Sequence, residues 1–438
     1  MASTSFDWNQ CLEYAAMTDV GMRRANNQDA FNVSLAGDAE QWYRRGHVFM
    51  VADGMGAHAA GELASKLAVD TVPHLYQKYR DKSPPEALQK AILEANAEIH
   101  RRGQANAEFH NMGTTCEALV LLPQGAVLSH VGDSRIYRLR GDKLHQLTFD
   151  HSLLWEMQAS GQLGEDSDLA AAIPKNVITR SLGPNPKVKV DIEGPYPLAV
   201  GDTFLVCSDG LTGKVKDQEL GPILANLPPG EAGQVLIDLA NLRGGPDNIT
   251  VIIAKVTGPQ MATGVARAEP LTVGNTEDQT TTIHPALWMV IGVCFLAALA
   301  MVVAGQPIPA LLAAVAGVVA AVIAVLQKSG TFGKAGVALS GQNRLGRGPY
   351  VEVSCDAGSE VVDNLAGLAA ELQDAANTDQ LPPGVSEFDD LCAHAASTAE
   401  KGDFAAAVRH YCQAISRMMQ LLRERRQEMR ASDSSVDL

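Results

Sequence analysis

HVFMVADGMG, residues 47–56, is a run of apolar, strand-favouring residues that stops at an aspartate beside a glycine. A short apolar run closed by turn residues is the pattern of a strand buried on both faces, and Asp-Gly is a pair that readily makes the turn. Outward along the chain the same form returns in EALVLL (117–122), AVLSHVG (126–132), DTFLVCSD (202–209) and NITVIIAKV (248–256). Helix-like stretches at 60–80, 84–104 and 231–242 lie between these runs. Residues 1–257 therefore read as one α+β domain rich in strands.

The aspartates at the strand ends carry the chemistry. Asp53 closes one apolar run, Asp209 closes another in TFLVCSDG, and Asp247 opens a third in GGPDNITVII. Singly, each is an ordinary turn residue. Together they form an oxygen-only set of the kind that hard divalent cations prefer. Hydrolysis of a phosphate ester needs a nucleophile active at neutral pH and positive charge on the phosphate oxygens, and two metal ions sharing a water supply both.

The ordered segments TDVGMRRANNQDAF (18–31), VADGMG (51–56), MGTTCEAL (112–119), VGDSRIYRL (131–139), LTFDHS (147–152), ITRSLG (178–183), LVCSDGL (205–211) and GGPDNITVII (244–253) resemble the metal-dependent protein phosphatases of the 2C type, in their bacterial-like form. The resemblance covers about 18–255 and implies a four-layer αββα sandwich, two antiparallel sheets flanked by helices. It implies Asp53 as the aspartate bridging two ions, the Gly54 carbonyl as a backbone ligand, and Asp209 and Asp247 as ligands of the other ion. Asp29 matches a carboxylate that holds metal-bound water. Arg24 matches the arginine that clamps the substrate phosphate, a task suited to a bidentate guanidinium. Asp133 matches a residue that shares a third, weaker metal site with Asp209. Mn²⁺ or Mg²⁺ is the implied cofactor, as two or three ions. Phosphorylated serine or threonine proteins are the implied substrates, opposed by a Ser/Thr kinase acting on the same proteins. Thr114 and Thr115 are expected to support the core near the site, and residues 150–176 to form a flap.

Two positions depart from the family pattern. Gln28 stands where a glutamate is common, which removes one negative charge. Met55 stands where many eukaryotic relatives have a histidine acid, and nearby His58 reads as a surface or helix-start residue. The alternative reading, from another functional class, is a catalytically silent phosphatase-fold adaptor or a membrane signalling scaffold.

Composition sets further expectations. The chain has 438 residues and a formal net charge of -15, which speaks against a nucleic-acid partner. Its seven cysteines are scattered without a CxxC pair and read as reduced thiols. No basic-then-apolar leader opens the sequence. Residues 258–284 read as a linker. Asp278 and Lys328 bound a charge-free run that Gly305–Pro309 divides into spans at 286–304 and 308–326, each reaching roughly 28 Å. The expectation is two transmembrane helices over 285–327, with basic residues after the second span placing both flanks in the cytoplasm, so that the protein is a multi-pass inner-membrane protein. Residues 328–385 read as a flexible, Gly-rich and short helical region. Residues 386–426 resemble one tetratricopeptide repeat, with Gly402 at the turn and Ala407, Tyr411 and Ala414 at packing positions.

Overall fold

The computed structural model describes residues 11–57, 59–164, 173, 177–264, 268–273, 285–328, 337–378 and 385–434. The chain forms two compact units, Met1–Glu269 with Ser340–Leu438, and Pro270–Leu339.

Two antiparallel sheets make the centre of the first unit. One runs β2 (Asp29–Ser34), β3 (His47–Met55), β5 (Cys116–Leu122), β6 (Gly125–Val131), β9 (Asp191–Tyr196), with the short β4 (Gly113–Thr114) on the end of β3. The other runs β1 (Leu12–Asp19), β11 (Ile249–Val256), β10 (Thr203–Cys207), β7 (Arg135–Arg140), β8 (Lys143–Gln146), β14 (Val351–Ser354). Alternation along each strand decides which face goes where. Phe49, Val51, Leu119, Leu121 and Leu128 of the first sheet meet Ile136, Phe204, Val206, Ile252 and Ala254 of the second in one core between the sheets. Their neighbours point outward and are buried too, because helices cover both outer faces, which is why these strands read as continuous apolar runs.

Besides the short α1 (Ala39–Arg44), the first sheet carries α2 (Ala60–Lys78) and α3 (Pro84–Ala105). Ala64, Ala68, Val72 and Tyr76 recur at every fourth residue of α2 and are all fully buried, the one-sided stripe that seats a helix on a sheet. The α4 helix (Leu153–Ala159) and α5 (Asp209–Thr212) are short, and α6 (Asp217–Asn226) and α7 (Pro229–Leu242) lie over the second sheet. The result is the expected α+β arrangement of two sheets between helical layers.

The second unit contains α8 (Pro285–Val303) and α9 (Pro307–Lys328), packed on each other, and a two-stranded ladder of β12 (Thr272–Val273) with β13 (Val337–Ala338). The helical hairpin expected at 285–327 is present, with Gly305 at φ +69° between its arms. Its membrane-spanning role is corrected: among the described residues no helix is long and apolar enough to cross a membrane. A crossing takes about 20 consecutive apolar residues, and none of the described helices meets that requirement. The multi-pass inner-membrane localisation falls with it.

After Leu339 the chain rejoins the first unit. It adds β14 to the second sheet and then α10 (Ser359–Thr378), α11 (Val385–Glu400) and α12 (Phe404–Ser434). Leu365, Phe388, Val408, Ile415 and Met418 of these helices share one core with Leu220, Leu236 and Leu239 of α6 and α7 and with Leu205, Val251 and Ile253 of the sheet. All seven cysteines are free thiols.

Candidate active site

Each predicted acidic residue sits where a strand of the sandwich ends, so the ends of both sheets bring them together. Asp29 and Asp53 face each other in the β2–β3 ladder. Asp133 lies in the turn from β6 to β7, Asp209 opens α5 directly after β10, and Asp247 precedes β11. The two sheets are joined here by Ser208, whose hydroxyl donates to Asp29 Oδ2 at 2.7 Å and accepts from the Thr250 amide at 2.9 Å.

Around Asp53 the backbone is tightly held. Its amide donates to Thr115 Oγ1 at 2.9 Å, and its carbonyl accepts from the Thr115 amide at 2.9 Å. Thr115 in turn pairs with the Ser134 hydroxyl at 2.9 Å, next to Asp133. At Gly54 a Cβ would stand 2.2 Å from the Gly61 carbonyl oxygen and 2.5 Å from that of Gln28. Only glycine lets β3 pass this close to α2 and β2.

Burial is the dominant influence on the acids. It pushes Asp29 up to about 7, with Ser208 and Thr250 lowering it and Asp209 and Asp247 raising it further. Burial and then Asp209 push Asp133 up to about 8. Asp53 is raised well above the ordinary carboxylate value by burial and by the charges of Asp29, Asp209, Asp133 and Asp247. Asp209 is raised by burial and Asp247, and lies within hydrogen-bonding reach of Asp53.

Among the described residues, no three His, Cys, Asp or Glu side chains are gathered closely enough to hold an ion as they stand. The donor set nevertheless fits one. Asp29 Oδ1, Asp133 Oδ1 and Asp209 Oδ1 are buried without a hydrogen-bond partner, and a buried carboxylate oxygen left so is costly unless a proton or cation answers it.

Arg24 reaches the same place from the loop before β2. Its Nη2 donates to Asp247 Oδ2 at 2.7 Å and its Nε to the Pro246 carbonyl at 3.3 Å. The guanidinium is about half exposed, 47%, so it stands at the mouth of the site. Gln28 Nε2 donates to the Gly56 carbonyl at 3.2 Å, and its backbone amide is held separately by Asn248. His58, and residues 165–172 and 174–176 of the expected flap, lie outside the described residues.

Sequence reading missed Ser208, Asn248 and Thr250. Asn248 accepts from the Gln28 amide and donates to the carbonyls of Val20 and Asn26, at 2.8, 2.9 and 3.0 Å. The available signal was a polar side chain beside a strand-end aspartate, as in Cys207-Ser208-Asp209 and Asp247-Asn248.

Comparison with known proteins gives the chain a family. A family model described as Protein phosphatase 2C matches residues 22–229. Over 252 residues the chain is 38% identical to "Protein phosphatase PhpP" of Streptococcus pneumoniae, a match covering 56% of this chain and 98% of that protein. The serine/threonine phosphatase PstP/Ppp of Mycobacterium tuberculosis is 33% identical, with 57% of this chain and 100% of that one covered and a TM-score of 0.49. A PstP catalytic domain solved in complex with two manganese ions is also 33% identical, with 57% and 99% covered and a TM-score of 0.47. With a relative matched along almost its whole length, the chain belongs to the protein phosphatase 2C family and is a metal-dependent serine/threonine protein phosphatase.

Proposed function

We propose that Asp53, Asp209 and Asp247, with the Gly54 carbonyl, hold a pair of Mn²⁺ or Mg²⁺ ions, that Asp29 orients water beside them, and that Asp133 and Asp209 offer a third, weaker position. The observation that carries this reading is the set of three buried, unpartnered carboxylate oxygens on Asp29, Asp133 and Asp209. When bound, such ions lower the pKa of a shared water and offset charge on the phosphate oxygens. The chain's own part is to fix and neutralise. Ser208 locks Asp29 in one rotamer, and Thr115 fixes the Asp53 backbone. Arg24, already held at the mouth by Asp247, turns its remaining donors toward an entering phosphate, where a planar fork matches two oxygens.

The substrates of this reading are phosphoserine and phosphothreonine proteins produced by a Ser/Thr kinase that the phosphatase opposes. The α11–α12 pair, resembling one tetratricopeptide repeat, then serves as a brace on the catalytic unit. Its small and aromatic positions Ala407, Tyr411 and Ala414 are buried, which supports packing within the chain.

The test is hydrolysis of a phosphothreonine peptide by the full chain with and without Mn²⁺. Asp53→Ala is expected to lower Mn²⁺-stimulated kcat by at least about 100-fold while the fold survives, since losing a shared ligand removes several kcal/mol of transition-state stabilisation. Activity within about twofold of wild type would overturn the assignment.

A further inference from the structure

The second sheet continues beyond the family-matched residues 22–229, because β14 pairs with β8 along Val351–Ser354. The segment leading into it is tied to the catalytic unit by one buried carboxylate. Glu193, 3% exposed, accepts from Tyr350 Oη at 2.6 Å, Tyr196 Oη at 3.0 Å, and the amides of Gly348 and Arg347 at 3.1 and 3.3 Å. Leu345 and Gly194 exchange backbone hydrogen bonds at 2.6 and 3.1 Å. Gly346 takes φ +76° beside the Glu193 carboxylate, a left-handed conformation that favours glycine.

From this anchor Tyr350 faces the active site's flank. Its amide donates to the Gln146 carbonyl at 2.8 Å, and its ring meets Phe149 edge-on at 5.5 Å. Gln146 Nε2 donates to Asp150 Oδ1 at 2.9 Å. Asp150 accepts from Arg135 through Nε and Nη2 at 2.9 and 2.7 Å, and its charge bears on Asp133. Phe149 continues the path by meeting Trp155 of α4 edge-on at 5.3 Å. The arm 146–159 thus has Tyr350 behind it and Asp133 before it.

We infer that residues 343–355 are a strap that sets the arm 146–159 for protein substrates, with Tyr350 as the positioning residue. This rests on the active-site reading above. A small aryl phosphate needs only the carboxylate centre and Arg24. A phosphopeptide must also extend over the surface around them, and on the Asp133 side that surface is the arm. Loosening the arm raises KM for peptide and leaves the small substrate alone.

The experiment compares full-chain Tyr350→Ala, Tyr350→Leu and Tyr350→Phe on a phosphothreonine peptide and on para-nitrophenyl phosphate, both with Mn²⁺. Tyr350→Ala is expected to raise peptide KM about fivefold or more with kcat held within about twofold, and to leave kcat/KM for para-nitrophenyl phosphate within about twofold. Tyr350→Phe, which keeps the ring against Phe149, restores most of the peptide KM. Should the alanine variant fail to fold, Tyr350→Leu decides by the same split. Unchanged peptide KM, or equal losses on both substrates, overturns the inference while the phosphatase reading stands. A wild-type chain inactive on both substrates overturns that reading instead, and the strap's role with it.

Discussion

Asp53 sits among the charges of Asp29, Asp209, Asp133 and Asp247, a cluster that stays folded only if protons or cations compensate it. Metal-free, protons do so. Burial holds Asp29 at about 7 and Asp133 at about 8, against 3.8 unfolded. A carboxyl whose folded value is raised contributes stability that is full below the unfolded value and is lost as pH rises through the folded one. The metal-free protein should therefore lose stability from about pH 4 to about pH 8, and a divalent ion, which displaces these protons, should restore it. The Tm gain on adding Mn²⁺ is expected to be larger at about pH 8.5 than at about pH 5.5. A gain independent of pH would mean that these acids do not receive the ion. Arg24 is a second test at this scale. Its ion pair with Asp247 is too exposed, 47% and 32%, to matter much to the fold. Arg24→Ala should raise peptide KM about tenfold while Tm moves by less than about 2 °C. Weakened Mn²⁺ activation with unchanged KM would reassign it to the metal centre.

Helix α7 shows how one element can belong to two layers. Its apolar face covers the second sheet, whereas its buried Asp238 turns to the tail and accepts from Ser416 Oγ at 2.9 Å and Arg423 Nη1 at 2.6 Å on α12. Asp238 is fully buried and Arg423 is 39% exposed. Removing the arginine leaves an uncompensated buried carboxylate, a loss of about 3–5 kcal/mol for a fully buried pair, reduced here to about 1–3 by the arginine's exposure. Urea unfolding of Arg423→Ala checks this. Double replacement with Asp238→Asn should recover part of the loss, because the stranded charge is gone. No recovery would show that Arg423 acts through packing of its stem rather than through its charge.

At the scale of the molecule, the tail and the catalytic sandwich share one hydrophobic core. A chain ending at residue 339 would bare Leu220, Leu236 and neighbouring apolar side chains of α6 and α7. Such a loss amounts to several kcal/mol, and Tm should fall by at least about 5 °C, read by calorimetry. A truncated chain as stable as the whole would mean that the tail rests on the surface without sharing the core. The hairpin of α8 and α9 is part of the other unit and should be untouched by Arg423→Ala.

Strand periodicity and the aspartates closing HVFMVAD and TFLVCSD were enough to read an α+β domain with acids at its strand ends, whereas the two-sheet sandwich and the choice of Asp29 and Asp133 came from the family resemblance. The former are local signals, and a buried strand writes them within its own few residues. Tertiary structure alone decided which groups meet. Ser208 bonds Asp29 across 179 positions and Arg24 bonds Asp247 across 223, and neither partner carries a local mark of the other. The apolar run at 286–326, whose composition suggested crossing a membrane, forms two helices, and among the described residues no helix is long and apolar enough to cross one. The same limit applied to residues 328–385, read as flexible from their Gly-rich start, within which Glu193 holds Gly348 and Tyr350 and the core of α6 and α7 takes in Val362 and Leu365. Local sequence states how each segment folds. Partners far along the chain are set by which apolar faces remain uncovered once all segments pack, and that is a property of the whole.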